Sequence, residues 1–244
     1  SEMCIRDRYK IGDQTAGVSL VPLIRDPDKQ VHDEAILAAG RLKVAEAVPS
    51  LNEIYSAGIE ERKKIFGFVP VSGSDDLQKK VLEALAYIAD ARSQEIFEDA
   101  LNDERDHYRR YGAEGLGRLA ASDFQTLIAR QYLREKSSSV KLALGFTLLL
   151  MGRDEHIIEL VDNIKKDQAY YYLMELPPSK FQLLQPYVQT EDASTKVRLL
   201  NVLGLSGDAS WIPLVEEMTR DEDVDVASAA NLALRRLRGR FPDA

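Results

Sequence analysis

The sequence has few of the residues that metal, redox or disulfide sites require. Its 244 residues include one cysteine, Cys4, and three histidines. A single thiol excludes a disulfide framework and a thiolate metal cluster, because each needs several cysteines. His32, His107 and His156 lie in different repeats of the chain, and none has a second histidine four residues on. The sequence therefore predicts no metal site and no cofactor.

The chain also lacks a long apolar run and an excess of basic residues. The only long apolar stretch, residues 140–152, is shorter than the about 20 residues that cross a bilayer. No signal peptide is evident, so we expect a cytoplasmic protein that does not contact a membrane. The net charge is −8. Surfaces that bind nucleic acid are built from an excess of Lys and Arg, which makes nucleic acid a disfavoured partner.

Motifs for nucleophilic or phosphate chemistry are missing as well. The chain contains neither a phosphate-binding Gly-x-x-x-x-Gly-Lys-Ser/Thr loop nor the Gly-x-Ser-x-Gly turn of serine hydrolases. Gly115 and Gly117 fall within a helical pattern, where small residues allow helices to pack closely. Trp211, the only tryptophan, begins an apolar helical turn and is predicted to lie in the core. We therefore predict no catalytic residue.

Residues 1–8, SEMCIRDR, match neither the composition nor the pattern of the rest of the chain. They resemble translated adapter sequence of the kind found at the ends of proteins predicted from assembled environmental DNA. We expect a non-native tail, the alternative being a disordered native one. Either interpretation removes Cys4 as a functional candidate.

One helix-period segment, rich in Ala, Leu and Gly, recurs along the rest of the chain. Its copies open at positions 31, 77, 108, 140, 195 and 226, which are 46, 31, 32, 55 and 31 residues apart. Another helix is predicted before most of these copies, because a residue that can cap a first turn precedes an apolar run. These residues are Ser93, Asp123, Asp154, Ser179 and Ser210. The repeating unit is a first helix, a turn, a second helix and a turn.

The two long spacings predict irregularities in the array. The 46-residue spacing indicates a loop insertion at 58–76, and the 55-residue spacing contains a degenerate unit at about 164–178, ended by Pro177 and Pro178. Residues 9–13 align with the end of a second helix. We therefore expect about seven units in one domain, residues 9–244, that starts inside a repeat of a longer array.

An aspartate stands five residues before the opening apolar residue in three copies, at Asp26, Asp103 and Asp221. With the endings Ala-Ala-Gly-x-Leu and Gly-Leu-Gly-x-Leu, residues 9–239 resemble HEAT repeats of the short bacterial type found in phycobilisome-lyase-like proteins. The resemblance implies an all-α fold, an α-solenoid in which antiparallel helix pairs stack into a right-handed superhelix.

The resemblance also implies a ladder of contacts between these aspartates and basic residues of neighbouring repeats. The basic residue expected after the opening position is present in three copies, as Arg109, Lys141 and Lys196. In the other copies the position holds His32, Gln78 and Ala227. We therefore expect an incomplete ladder.

In HEAT-like stacks the second helices line the concave face, which exposes positions two, three, six and ten after the opening residue. In the N-terminal half these positions, with Glu114, form a net basic stripe: Arg41, Lys79, Lys80, Tyr87, Arg110, Tyr111 and Arg118. We interpret the stripe either as solvated charge or as a site for an acidic peptide or anionic ligand.

In the C-terminal half the same positions become more apolar, with Leu142, Ala143, Phe146 and Leu150 in one copy and Val197, Arg198, Asn201 and Leu205 in the next. Two interpretations remain open. The helix at 142–150 is buried on every side beneath the tyrosines at 170–172, or Phe146, Leu150, Tyr171 and Leu205 form an exposed patch for a partner.

These features favour a non-enzymatic scaffold or adaptor that binds another protein or peptide along its concave face. The alternative, implied by the resemblance, is a phycobilin-lyase-like protein that attaches or detaches a chromophore. That function would need cationic residues for the tetrapyrrole propionates and aromatic residues for its rings. Arg110, Tyr111 and Arg118 could contribute, although no lyase-specific motif is present.

Overall fold

The computed structural model describes residues 17–64, 72–190 and 192–243, and within these ranges the regular structure is entirely helical. A 3₁₀ helix, Val18–Arg25, comes first. The α-helices that follow are α1 (Lys29–Arg41), α2 (Val48–Lys64), α3 (Ser72–Ile88), α4 (Gln94–Leu101), α5 (Asp106–Arg118), α6 (Gln125–Arg134) and α7 (Ser138–Leu150). The later ones are α8 (Ile157–Asp162), α9 (Asp167–Met174), α10 (Pro178–Phe181), α11 (Gln185–Thr190), α12 (Ala193–Ser206), α13 (Ile212–Met218) and α14 (Val224–Arg240).

The chain forms two compact units, unit 1 (Ser1–Thr147) and unit 2 (Leu148–Ala244). In unit 1 the second helices pack in series, α1 against α3 and α3 against α5, while α2 and α4 pack on α3 and α5 as their first helices. In unit 2 the series is α9, α12 and α14, with α11 packed on α12 and α13 on α14. The predicted fold class is confirmed, because both units stack helix pairs in the manner of an α-solenoid.

Small residues set the close spacing of successive second helices. A Cβ built on Gly40 would lie 2.6 Å from the Cα of Ala84, and one built on Gly204 would lie 2.8 Å from the Cα of Ala233. Both distances are too short for a side chain, so only glycine lets the backbones approach this closely. The glycine that recurs nine residues after the opening position is thus a contact between neighbouring repeats.

Helix α5 shows the same effect on two sides, as predicted for Gly115 and Gly117. A Cβ on Gly117 would lie 2.7 Å from the hydroxyl of Thr147, and one on Gly115 would lie 2.5 Å from the ring of Phe97. The Thr147 hydroxyl also donates a 2.7 Å hydrogen bond to the carbonyl of Ala113. Helix α5 is therefore held tightly between α4 and α7.

The starts of the first helices differ from the prediction, because α4, α6, α8, α10 and α13 all begin without a side-chain cap. A 3₁₀ turn, Ala91–Ser93, precedes α4, and the carboxylate of Asp90 accepts from the N–H of Arg92 at 2.9 Å. The Ser93 hydroxyl instead donates to Oδ1 of Asn52, so it does not cap α4. Side-chain caps do occur on second helices, where the aspartate three residues before the opening position accepts from the first turn. These caps are Asp28, Asp192 and Asp223.

The predicted ladder is present at two junctions. The guanidinium of Arg109 donates to Glu135 at 2.9 Å, and Lys196 lies 3.3 Å from Asp221. Glu135 occupies the position five residues before Val140 and thus takes the place of the usual aspartate. At the copy opening at position 77, Gln78 replaces the basic residue and donates to the carbonyl of Ile54.

The predicted loop at 58–76 is narrower than expected. Helix α2 continues to Lys64 and α3 begins at Ser72, while residues 65–71 lie outside the described ranges. Gly58, which suggested a loop, lies inside α2, where a Cβ would meet the side-chain amide of Gln78 at 1.9 Å. It is therefore a close-contact residue. The predicted degenerate unit does form helices, with α9 followed by α10 and α11.

The predicted tail at residues 1–8 and the incomplete helix at 9–13 also lie outside the described residues.

Candidate functional site

Most side chains of the predicted basic stripe are buried or half-buried in unit 1 rather than exposed. Glu114 is 1% exposed and accepts hydrogen bonds from Arg110 Nε at 2.7 Å and from Arg118 at 3.1 Å. Arg118 also donates to the carbonyl of Ala86 on α3 at 3.1 Å. Two guanidinium groups thus compensate one buried carboxylate, an arrangement that a charge needs when it is removed from water.

Aromatic rings enclose this ion-pair cluster. The guanidinium of Arg118 lies 4.7 Å from the ring centre of Tyr87 on α3 and 5.7 Å from that of Phe146 on α7. Tyr111 is buried, and burial raises the pKa of its hydroxyl. The expected exposure of Tyr111, Glu114 and Arg118 was therefore wrong, because these positions on α5 contact the neighbouring second helices.

The remaining basic residues of the stripe differ in how far they are exposed. Lys80 of α3 donates to Asp76 at 2.6 Å and to Asp33 of α1 at 2.9 Å, and these hydrogen bonds raise the pKa of Lys80. Arg41 and Lys79 are exposed. Of the seven predicted stripe residues, only these two lie fully at the surface, so the stripe is not a continuous basic surface.

The residues of the predicted apolar patch also differ in exposure. Phe146 is completely buried, as are its neighbours on α7, and Leu150 is half-buried. Of the two interpretations, the exposed patch is wrong for Phe146, because Phe146 packs beside Arg118 within unit 1. Tyr171 and Leu205, both in unit 2, are 56% and 42% exposed. Only the unit 2 half of the predicted patch is therefore well exposed.

A groove runs between α12 and α14 on the exposed side of the second helices of unit 2. Its volume is about 700 Å³, and Leu232, which is 37% exposed, lies on its wall. The groove is lined by Val197, Arg198, Asn201, Asp225, Ala229, Leu232 and Arg235, among others. Sequence reasoning missed Leu232 and Arg235. The register of the earlier copies, applied to the copy opening at Val226, would have placed Leu232 at an exposed position.

The arginines on this side of unit 2 are not neutralised by neighbouring carboxylates. Arg198, Arg235 and Arg236 form no ion pair with any residue that the structure describes, and Arg198 donates only to the carbonyl of Ile164 at 3.3 Å. Burial raises the pKa of Tyr170, and the positive charges of Arg236 and Arg198 oppose that rise. Positive charge therefore accumulates here, although the protein as a whole is acidic.

Other kinds of site find no support among the described residues. No cluster of His, Cys, Asp and Glu in those ranges could hold a metal ion. None of the described helices is long and apolar enough to span a membrane. Trp211 is 3% exposed, as predicted for a core residue.

No protein-family model matches the chain, and no curated protein matches it. Among solved structures, the chain is similar to a crystal structure of an engineered protein from the Northeast Structural Genomics Consortium. The identity is 18%, the TM-score is 0.37, and the match covers 91% of this chain and 96% of the other. So loose a superposition carries no argument about this chain.

Proposed function

We propose that the chain is a non-enzymatic, HEAT-like scaffold or adaptor module that binds another protein on the second-helix face of unit 2, the exposed side of α9, α12 and α14. The groove between α12 and α14 carries this proposal. Leu232 is exposed in this groove together with Arg198 and Arg235, which form no ion pair with any described residue, and Leu205 is exposed further along α12. Exposed apolar side chains bordered by polar ones are typical of protein interfaces.

The corresponding face of unit 1 is a poorer candidate for binding. Its charges at Arg110, Glu114 and Arg118 already satisfy one another, and a partner would have to break these contacts to use them. The same contacts weaken the phycobilin-lyase alternative, because Arg110, Tyr111 and Arg118 are the residues it would need. A cytoplasmic location remains a prediction from the sequence.

Site-specific photo-crosslinking in cells that express the native gene tests the proposal. A photoreactive amino acid at position 232 lies in the groove, and the same amino acid at position 158 is the matched control. Leu232 and Ile158 are both exposed apolar residues of unit 2. We expect a discrete crosslinked protein from position 232 only, lost when Leu205→Asp is added. Equal labelling from both positions, or none from position 232, would contradict the proposal.

A further inference from the structure

We propose that the segment bound in the α12–α14 groove is acidic and amphipathic, presenting carboxylates to Arg198 and Arg235 and apolar side chains to Leu232. This inference rests on the function proposed above and specifies the chemistry of the partner. The groove contains arginines that form no ion pair with a described residue, and it also exposes apolar side chains. A partner that fits must satisfy both.

The partner needs carboxylates because the arginines of the groove form no ion pairs with the described residues. On the second helices of unit 1, Lys80, Arg110 and Arg118 each have a carboxylate within 3.1 Å. In the groove, Arg198 and Arg235 have none among the described residues. A partner that covers a guanidinium removes its water, so carboxylates must replace that water if binding is to be favourable. Carboxylates are also the groups that the planar guanidinium binds with two hydrogen bonds.

The position of the acid in the groove gives the partner a direction. Asp225, at the start of α14, is the carboxylate among the lining residues, while Arg235 lies ten residues further along the same helix. A rise of 1.5 Å per residue separates them by about 15 Å. The partner carboxylate that pairs with Arg235 should therefore lie at the end of the groove away from the like charge of Asp225.

The apolar requirement separates an acidic segment from any polyanion. Val197, Ala229 and Leu232 line the groove together with the two arginines. A highly charged chain without apolar side chains would cover this apolar surface without making apolar contacts to it. We therefore expect carboxylates alone to bind weakly and carboxylates combined with leucine-like side chains to bind well.

Fluorescence anisotropy with the full chain and labelled peptides tests this inference. The probe is a peptide of alternating glutamate and leucine, compared with a lysine–leucine and a glutamate–serine peptide of equal length. We expect the glutamate–leucine peptide to bind at least about tenfold more tightly than either comparison peptide. Equal binding of the lysine–leucine peptide would overturn the inference.

Charge reversal in the groove supplies the matched variants. Arg198→Glu and Arg235→Glu should each weaken binding of the glutamate–leucine peptide by about tenfold. Arg220→Glu changes the net charge equally at an exposed arginine outside this groove, and should change the affinity by less than about twofold. Equal effects of all three variants would show attraction by overall charge alone, and would overturn the inference.

The failure of this inference can be distinguished from failure of the proposed function. If the crosslinked partner still requires Leu205 but binds the Arg198→Glu, Arg235→Glu double variant normally, the groove binds a protein that is not acidic. In that case the proposed function stands and the inference is wrong. If neither arginine reversal nor Leu205→Asp affects capture, both are wrong. Circular dichroism of each variant confirms that the helices remain folded.

Discussion

Equivalent positions of the repeat are more buried on α5 of unit 1 than on α12 of unit 2. Six and ten residues after their opening residues, α5 carries Glu114 and Arg118, whereas α12 carries Asn201 and Leu205. Glu114 is 1% exposed, and Leu205 is 42% exposed. On α5 the charges of Arg110, Glu114 and Arg118 satisfy one another within the helix, and rings of α3 and α7 cover them. On α12 and α14 of unit 2, Leu205, Leu232 and Arg235 remain exposed.

The difference shows that a position within a repeat does not by itself determine whether it can bind a partner. Arg118 and Arg198 both extend from second helices, but Arg118 contacts Glu114 and two aromatic rings, while Arg198 contacts one backbone carbonyl. A charged residue marks a binding surface only when its neighbours leave it uncompensated. Unit 1 therefore uses these polar residues for stability, whereas in the proposed function unit 2 keeps its arginines for recognition.

The strongest test of this contrast replaces the two register-equivalent residues. Arg118→Ala should lower the free energy of unfolding by about 3 kcal/mol, because it leaves buried Glu114 with Arg110 alone. Leu205→Ala, at the equivalent position in unit 2, should change it by less than about 0.5 kcal/mol. Urea unfolding followed by circular dichroism measures both.

A double variant checks the cause of the Arg118 effect. Glu114→Leu combined with Arg118→Met removes the buried charge together with its partner, so part of the lost stability should return. If the double variant is less stable than Arg118→Ala, the buried carboxylate is not the source of the loss.

The ladder contact of unit 1 should likewise contribute more to stability than the ladder contact of unit 2. Arg109 donates to both oxygens of Glu135, which is 4% exposed, and to the carbonyls of Asp103 and Glu104. We expect Arg109→Met to cost about 2 kcal/mol. Lys196 makes a single, longer contact of 3.3 Å with Asp221, and both side chains are partly buried, so Lys196→Met should cost less. Similar unfolding midpoints for the two variants would contradict this ranking.

Unit 1 should also carry a small dependence of stability on pH. His107 lies 3.6 Å from Asp75, and burial lowers the pKa of its imidazole despite the nearby Asp75, Asp103 and Asp106, with Lys79 adding to the decrease. The unfolded chain therefore takes up the proton first as the pH falls through about 6.5, and the fold loses stability there.

The variant His107→Gln isolates that contribution. Between pH 7.5 and 5.5 the melting temperature of the natural sequence should fall more steeply than that of His107→Gln. Identical slopes would show that His107 does not titrate differently in the folded and unfolded chains.

Much of the fold could be predicted from the periodic sequence, because local patterns govern helix formation. The opening positions at 77, 108 and 226 lie within α3, α5 and α14, and Asp28 and Asp223 cap the helices that follow them. Gly58 was misinterpreted because a glycine that permits close packing and one that permits a turn look the same in sequence. Its role depends on Gln78, 20 residues away, whose side chain occupies the space.

The candidate site was harder to predict from the sequence, because its residues are the ones that the neighbouring helices leave exposed. The repeat register correctly placed Leu205 at an exposed position, but it placed Phe146 and Tyr111 there as well. Whether a side chain ten residues into a helix faces solvent depends on the next helix, and that helix belongs to another repeat.

Local residue patterns thus established an all-helical chain built from repeated pairs, because hydrophobic periodicity, caps and glycine spacing act over a few residues. Tertiary packing decided which of these side chains are buried and which stay exposed. Glu114 pairs with Arg110 and Arg118 of its own helix, but these charges are removed from water because α3 and α7 lie beside α5. Arg235 and Leu232 instead face an open groove. Burial is a property of contacts between repeats, and those contacts exist only in the folded protein.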